Sequence, residues 1–297
     1  MRPRPLLSAL TLGLLGLAAC TTSDPSARPS AHAGAASESA AGPADEARAA
    51  ADARPTPRWE TLATEAYAGK QDDIHFVSPQ RGWYGNGQGN LWTTGDAGET
   101  WTRQLQQPGT FVRAVGFVDE QIGVLGNVGV DYYPGVTDET LLYRTTDGGA
   151  SWSAVTLPDG AVARGGICAI QVLREPFVHQ GVLDEHVRLL AAGRVGGPAQ
   201  LLISDDLGET WTATDLRDVG AMILDVHFFD RRHGLLASAT STTMQETHAL
   251  VLRTDDGGLS WTPVYESERP FEITWKFSFP TNDVGYVTVQ SYDPDPA

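Results

Sequence analysis

The sequence predicts an all-β fold built from a repeated unit of four antiparallel strands, because one motif recurs and short apolar runs flank each copy. The motif reads [Ser/Thr]-x-Asp-x-Gly-x-[Ser/Thr]-Trp. Its tryptophans are separated by steps of 51, 59 and 50 residues, and a period of this size is typical of repeat architectures. The four copies occupy residues 94–101, 145–152, 204–211 and 254–261.

Each copy of the motif, called the repeat turn below, has the chemistry of a turn between two strands. The aspartate can accept backbone N–H groups of its own turn, and the glycine can adopt a positive φ without steric cost. The two hydroxyl residues can bond to the carboxylate or to the turn backbone. The tryptophan opens the next strand and supplies a large apolar body. These structural positions are Asp96, Gly98, Trp101, Asp147, Gly149, Trp152, Asp206, Gly208, Trp211, Asp256, Gly258 and Trp261.

The other strands follow from a second pattern, a phenylalanine six residues before a glycine. The first strand ends at the phenylalanine and the second begins at the glycine, and the residue two before the phenylalanine is apolar, as strand alternation requires. In the third unit a long segment, residues 171–186, separates the first two strands. Four strands per unit make one blade of a β-propeller. The paired positions are Phe76/Gly82, Phe117/Gly123, Phe228/Gly234 and Phe279/Gly285.

The predicted propeller spans residues 58–297, with four blades and part of a fifth. Residues 58–62 resemble the fourth strands that follow the repeat turns, although no repeat turn precedes them. Residues 277–290 supply the first two strands of a fifth blade, and no third strand follows before Ala297. An open wheel leaves strand edges and apolar blade faces exposed, which proteins normally avoid. We therefore expect the natural sequence to be truncated here and to continue beyond Ala297.

The N-terminal region predicts export and lipid anchoring. Residues 1–19 combine Arg2 and Arg4 with an apolar stretch too short to span a bilayer, as in a signal peptide. Leu17-Ala18-Ala19-Cys20 resembles a bacterial lipobox, which implies lipidation of Cys20. Residues 20–57 are rich in Ala, Ser and Pro and predict a disordered tether. We expect a lipoprotein of the cell envelope that faces the periplasm, at the outer membrane because Thr21 follows Cys20.

The first testable prediction concerns this anchor. Changing Cys20→Ser removes the thiol that would carry the acyl chains, so we expect the protein to move from the membrane pellet to the soluble fraction. Sedimentation of cell fractions followed by immunoblotting measures the distribution. Unchanged sedimentation of the variant would refute lipidation.

Composition excludes several classes of site. The formal net charge of −16 becomes −18 once Arg2 and Arg4 leave with the signal peptide, which disfavours nucleic acid as a partner. With Cys20 lipidated, Cys168 stands alone, so we expect a buried thiol and no disulfide. The histidines show no metal-ligand spacing, and no phosphate- or dinucleotide-binding motif occurs. The sequence therefore predicts no metal and no cofactor.

The repeat turn resembles the Asp-box of the BNR-repeat (bacterial neuraminidase repeat) β-propellers. Its combination with the Phe-x5-Gly pattern over residues 58–297 is most similar to the photosystem II assembly/stability factor-like family. That resemblance implies a propeller in which the box joins the third and fourth strands of a blade. It also implies a scaffold that assembles a partner protein, here an envelope protein because of the lipobox.

Two function classes follow from these observations. Neither an Arg-Ile-Pro-like segment nor a Tyr–Glu arrangement of a sialidase is present, and no catalytic signature was found. We therefore expect a non-catalytic binding or assembly module, not an enzyme. The alternative is a glycoside hydrolase or sialidase-like enzyme, or a carbohydrate-binding propeller, since a chain with 37 acidic residues always offers paired carboxylates.

The expected partner-binding surface is the blade face that carries the loops between second and third strands and between successive blades, called the connecting face below. One basic residue falls in each connecting segment, partly offset by nearby acidic residues. An aromatic insertion, residues 131–135, lies on the same face, where exposed tyrosines suit protein or carbohydrate contact. The candidate residues are Arg113, Arg164, Arg217, Arg269, Tyr132 and Tyr133, together with Lys70.

Overall fold

The computed structural model describes residues 59–62, 64, 66, 69–130, 132–162 and 165–295. Every regular element in these ranges is a β-strand, and the strands form four-stranded antiparallel blades of a β-propeller, so the predicted fold class is confirmed. The predicted signal peptide, the tether, Cys20 and Arg164 lie outside the described residues.

The first two blades each pair four strands in chain order, with every strand hydrogen-bonded to the next. In both blades the repeat turn joins the third strand to the fourth, since it begins on the last residue of the third strand. The strands of the first blade are β1 (Gln71–Phe76), β2 (Gly82–Asn86), β3 (Asn90–Thr94) and β4 (Thr102–Gln106). Those of the second are β5 (Val112–Phe117), β6 (Gly123–Asn127), β7 (Leu142–Thr145) and β8 (Ser153–Ala154).

The third and fourth blades repeat this order, and a two-stranded sheet follows them. The third blade contains β9 (Ala169–His179), β10 (Val182–Ala192), β11 (Gln200–Ser204) and β12 (Thr212–Asp215). The fourth contains β13 (Met222–Phe228), β14 (Gly234–Ala239), β15 (Ala249–Thr254) and β16 (Thr262–Glu266). The last sheet pairs β17 (Glu272–Thr281) with β18 (Val284–Ser291).

The third blade departs from the expected separation of its first two strands. Residues 171–186 are not a connecting segment, because they extend β9 and β10 into one long hairpin. Pairing runs without interruption from Ala169↔Ala192 to His179↔Val182. The two turn residues, Gln180 and Gly181, have φ values of 50° and 79°. Two consecutive positive φ values are what a two-residue turn needs to match the twist of the strands.

The Phe-x5-Gly pattern has a packing reason. In the first, second and fourth blades the phenylalanine that ends the first strand pairs with the glycine that opens the second. The aromatic ring lies over that glycine. A Cβ atom at Gly82, Gly123 or Gly234 would approach the ring to 2.7, 2.5 or 2.6 Å. Only glycine leaves room for the ring, so the pattern reflects a contact across the first hairpin of these three blades.

This contact supplies the second prediction. In a Gly123→Ala variant the new methyl group meets the Phe117 ring, which is 1% exposed and cannot move aside. We expect overpacking to lower the free energy of unfolding by about 1–3 kcal/mol. Gly95→Ala is the matched control, because nothing lies within 4 Å of a Cβ at Gly95. Chemical denaturation of both variants measures the difference, and equal stabilities would contradict this packing account.

The first strands of successive blades lie side by side, from β1 through β5, β9 and β13 to β17. Polar side chains link them near the axis about which the blades are arranged. Asp73 Oδ2 accepts the N–H of Val115 at 2.8 Å, and Asp225 Oδ2 accepts that of Phe277 at 2.9 Å. These equivalent bonds join the first strand of one blade to that of the next. The connecting loops at the ends of these strands form the surface described below.

Candidate functional site

The four repeat turns share one hydrogen-bond pattern. The first hydroxyl residue donates to Oδ1 of the aspartate at 2.7–2.8 Å. The same oxygen accepts the N–H of the second hydroxyl residue at 2.8–2.9 Å. The other oxygen, Oδ2, accepts the hydroxyl of that residue at 2.5–2.6 Å. Each carboxylate is engaged by its own turn, which is the geometry of a structural residue.

The repeat-turn tryptophans stabilise the turns through hydrogen bonds and ring contacts. The indole Nε1 of Trp152, Trp211 and Trp261 donates to the carbonyl of the preceding turn glycine at 3.1–3.2 Å. Those glycines, Gly149, Gly208 and Gly258, have φ values between 81° and 93°. In the first blade Gly98 adopts a φ of 91°, and Trp101 contacts the Tyr84 ring edge-on at 4.6 Å.

The lowered pKa values of the turn aspartates predict how the stability of the fold depends on pH. Hydrogen bonds from the second hydroxyl residue of the turn lower the pKa of three aspartates to about 2: Asp96, Asp147 and Asp256. Burial raises the pKa of Asp206, but the hydrogen bonds of its turn outweigh burial, so its pKa is also lowered. A carboxyl whose pKa is lower in the folded state stabilises the fold above its ordinary pKa of 3.8 and loses that contribution as pH falls towards 2.

We therefore expect the melting temperature to fall between pH 4 and pH 2, with solvent screening limiting the size of the effect. An Asp147→Asn variant should lose less stability over that interval than the wild type, because one titrating group is gone. Thermal melts at fixed ionic strength measure both proteins. An identical pH profile for the two would contradict the assigned hydrogen bonds.

The basic side chains of the connecting face that the structure describes do not form a free positive ring. Arg113 is buried, with 7% exposed, and its Nη1 lies 3.3 Å from Asp72 Oδ1. Arg217 pairs with Asp215 at 2.5 Å, and Arg269 pairs with Glu272 at 2.6 Å. Each cation described here has a carboxylate partner, so the positive charge that would attract an acidic partner is offset locally. This corrects the expectation that Arg113 is available on the surface.

The aromatic insertion instead borders a groove of about 490 Å³ on the connecting face of the first two blades. Tyr133 is 43% exposed and stacks on Phe111 with ring centroids 5.0 Å apart. Tyr132 meets Tyr133 edge-on at 4.7 Å. This surface, called the aromatic groove below, combines apolar platforms with polar groups, and it is lined by Lys70, Gln88, Pro108, Thr110, Phe111, Tyr133, Pro134 and Val136, among others.

One wall of the aromatic groove is fixed by Asp138. Its Oδ2 accepts hydrogen bonds from Thr110 Oγ1 at 2.5 Å and from the Tyr143 hydroxyl at 2.7 Å. Burial raises the pKa of Asp138, but these hydrogen bonds outweigh it and leave the pKa below its ordinary value. The backbone N–H groups of Thr137 and Asp138 both donate to the carbonyl of Gly109. These bonds tie the loop after β4 to the segment before β7, so the groove is preformed.

Lys70 connects the groove to a second group of side chains, called the axial cluster below. Lys70 Nζ lies 3.5 Å from Asp72 Oδ1 and 5.5 Å from the centre of the Trp275 ring. The Arg113 guanidinium lies 5.9 Å from the same ring centre and beside the thiol of Cys168. The Asp72 side chain is only 1% exposed, and neither of its oxygens has a hydrogen-bond partner. The axial cluster thus holds a buried carboxylate between two cations.

Asp73 has a different environment from Asp72. Burial raises the pKa of Asp73 above its ordinary value, and the charge of Lys276 opposes the shift. Lys276 itself lies 3.3 Å from Asp225. Burial, more than Tyr133 and Cys168, also raises the pKa of Tyr132 to about 12. Asp73 therefore retains its proton to higher pH than an ordinary aspartate does.

No group of three or more His, Cys, Asp and Glu side chains in the described part of the chain is arranged to hold a metal ion. Among the described residues, no helix has the length and apolar character needed to cross a membrane. Cys168 is a buried thiol without a disulfide.

Curated sequence relatives are glycan-degrading enzymes. A xyloglucanase of Paenibacillus sp is 28% identical over 232 residues, which cover 66% of this chain and 21% of that enzyme. Xyloglucanase Xgh74A of Acetivibrio thermocellus is 27% identical over 213 residues, which cover 61% of this chain and 23% of that enzyme. The chain therefore spans about a fifth of the length of the curated relatives it matches. No protein-family model matches the chain.

Solved structures resemble the chain at lower identity. YCF48 from Cyanidioschyzon merolae is 16% identical with a TM-score of 0.47, covering 77% of this chain and 67% of that one. A GH74 enzyme of Niastella koreensis is 17% identical with a TM-score of 0.41, covering 62% and 27%. YCF48 bound to a D1 peptide is 17% identical with a TM-score of 0.28, covering 75% and 91%.

The expectation that the chain is not an enzyme is wrong, since its curated relatives are xyloglucanases. The alternative expectation, a glycoside hydrolase, agrees better with these relatives than the expectation of a non-catalytic scaffold does. Asp72, Phe111 and Trp275 were not among the predicted site residues; they lie in β1, just before β5 and in β17. The adjacent pair Asp72-Asp73 at the start of a strand was the available sequence signal.

Proposed function

We propose that this chain is a propeller of a glycoside hydrolase, and that its ligand is a β-glucan of the xyloglucan type. The observation that carries the proposal is the aromatic groove on the connecting face, with Lys70 in its lining, in a chain related to xyloglucanases. The relationship covers about a fifth of those enzymes, so the proposal concerns what this part of such an enzyme does.

The groove has the chemistry of a sugar-binding surface. Sugar rings present C–H faces that pack on aromatic side chains, and Tyr133 offers an exposed ring supported by Phe111. Lys70 and Gln88 line the same groove and can bond to ring hydroxyl groups. A mostly apolar cleft with a few fixed polar groups is the usual form of a small-ligand site.

Carboxyl groups of β1 support the hydrolytic part of the proposal, and one of them, Asp72, pairs with Lys70 of the groove. Hydrolysis of a glycosidic bond uses one carboxylic acid to protonate the leaving oxygen and one carboxylate as base or nucleophile. Our candidates are Asp73, whose pKa is raised by burial, and Asp72, which pairs with Lys70 and Arg113. A carboxyl group whose pKa is raised by burial is suited to the acid role.

The test uses the full chain with xyloglucan, mixed-linkage β-glucan and mannan. We expect saturable binding of xyloglucan by titration calorimetry and release of new reducing ends. Asp72→Asn and Asp73→Asn should lose the release of reducing ends while retaining binding. No binding of any β-glucan by the wild type would overturn the proposal, and binding without cleavage would remove only the hydrolytic part.

The export predictions extend this proposal to the cell envelope. A lipid anchor at Cys20 and the tether of residues 20–57 would hold the propeller on the periplasmic side of the membrane. The likeness to the photosystem II assembly/stability factor family supports the propeller fold in this proposal. It supplies no partner for the connecting face.

A further inference from the structure

The aromatic insertion belongs to the second blade in sequence but is held by the third blade. It lies between β6 and β7 and carries Tyr132 and Tyr133. Arg194, two residues after the end of β10, reaches it from the neighbouring blade. The proposed function depends on this insertion, because Tyr133 forms the exposed platform of the aromatic groove.

Arg194 bonds to the backbone just before the insertion and contacts the Tyr132 ring within it. Its Nη1 donates to the carbonyls of Val128 and Val130, each at 2.9 Å. Its Nε donates to the carbonyl of Gly197 at 2.8 Å, which fixes the guanidinium on its own loop. The same guanidinium lies 5.5 Å from the centre of the Tyr132 ring. Arg194 is 8% exposed, so these bonds form away from competing water.

The backbones beside Arg194 approach each other closely. A Cβ atom at Gly129 would lie 2.0 Å from the carbonyl oxygen of Gly165, and one at Gly166 would lie 1.9 Å from that of Val128. Gly129 also adopts a φ of 84°, which favours glycine. The insertion thus follows a point where the backbones of the second and third blades pack closely. Arg194 donates hydrogen bonds to both backbones at this point.

We propose that Arg194 is a positioning residue for the aromatic groove, which rests on the proposed function. By fixing the carbonyls of Val128 and Val130 and the ring of Tyr132, it sets where Tyr133 stacks on Phe111. A guanidinium suits this role because it presents several donors in a rigid plane and stacks on an aromatic face. A lysine ammonium carries the same charge but cannot reproduce that geometry.

The test compares Arg194→Lys with Arg217→Lys in the full chain. Arg217 lies in the loop between the third and fourth blades, and its guanidinium bonds to Asp215, so it controls for an arginine change on this face. Hydrogen exchange is measured on peptides covering residues 128–130 and 132–136 and on the strands. Calorimetry with a xyloglucan oligosaccharide measures affinity, for these variants and for Arg194→Lys combined with Tyr133→Ala.

We expect faster exchange in the insertion peptides of Arg194→Lys, unchanged exchange in β5 and β13, and an affinity lower by about tenfold. The combined variant should bind no more weakly than Tyr133→Ala alone, because Arg194 acts through that platform. Unchanged exchange in the insertion, or losses that add in the combined variant, would overturn the proposal. If the wild type binds no glycan, the proposed function fails, and the exchange data alone decide whether Arg194 positions the insertion.

Discussion

Changing Trp83→Ala should lower the free energy of unfolding by about 3–5 kcal/mol. Trp83 is fully buried in the first blade and stacks on Phe117 of the second blade, with ring centroids 3.5 Å apart and planes 3° from parallel. Its Nε1 donates to the carbonyl of Gly148 at 3.1 Å. Alanine therefore removes apolar contact across the blade boundary and leaves a buried carbonyl with one donor fewer.

The control for this change is Leu259→Ala, because Leu259 is 84% exposed in the last repeat turn. Urea unfolding followed by circular dichroism compares both variants with the wild type. We expect the control to lie within about 0.5 kcal/mol of the wild type. A loss below 1 kcal/mol for Trp83→Ala would contradict the assigned packing between the first two blades.

Changing Tyr133→Ala should weaken xyloglucan binding by about 2 kcal/mol, or roughly 30-fold. The tyrosine ring is the exposed platform of the aromatic groove, and its other face rests on Phe111. Removing it takes away the surface on which a sugar ring would pack. Titration calorimetry with a xyloglucan oligosaccharide measures the change.

Tyr265→Ala is the matched control for Tyr133→Ala. Tyr265 is 45% exposed, close to the 43% of Tyr133, but it lies on β16 of the fourth blade. The control should leave affinity unchanged and alter stability by a similar small amount. Equal losses in the two variants would show that the effect is not specific to the groove.

The repeated parts of the fold could be predicted because short segments determine them. The Asp–hydroxyl bonds of a repeat turn involve residues within six positions of each other, such as Thr254, Asp256 and Ser260. The phenylalanine–glycine contact likewise joins residues of one hairpin. Both patterns therefore repeat in the sequence wherever they repeat in the structure.

Contacts between blades could not be predicted in the same way. The sequence places Arg113 in a connecting segment between blades. In the structure Arg113 is buried, because Asp72 of the first blade, Cys168 of the third blade and Trp275 of the last sheet surround it. The groove likewise depends on which loops meet across the first two blades. Each of these contacts between blades occurs only once in the structure described, so no repeated sequence pattern indicates it.

The hairpin of the third blade was not predicted for a different reason. Residues 171–186 carry Arg, Glu, Pro and His among apolar residues, so the segment has the composition of a connection. Gln180-Gly181 nevertheless provides a two-residue turn, and full pairing of β9 with β10 follows from it. The turn dipeptide was a stronger signal than the polarity of the segment.

The most direct test of the central claim is a crystal structure of the chain with a xyloglucan oligosaccharide. We predict a sugar ring packed on Tyr133 in the groove between the first two blades, with hydroxyl groups in reach of Lys70. An oligosaccharide bound on the repeat-turn side of the blades, with the aromatic groove empty, would contradict it.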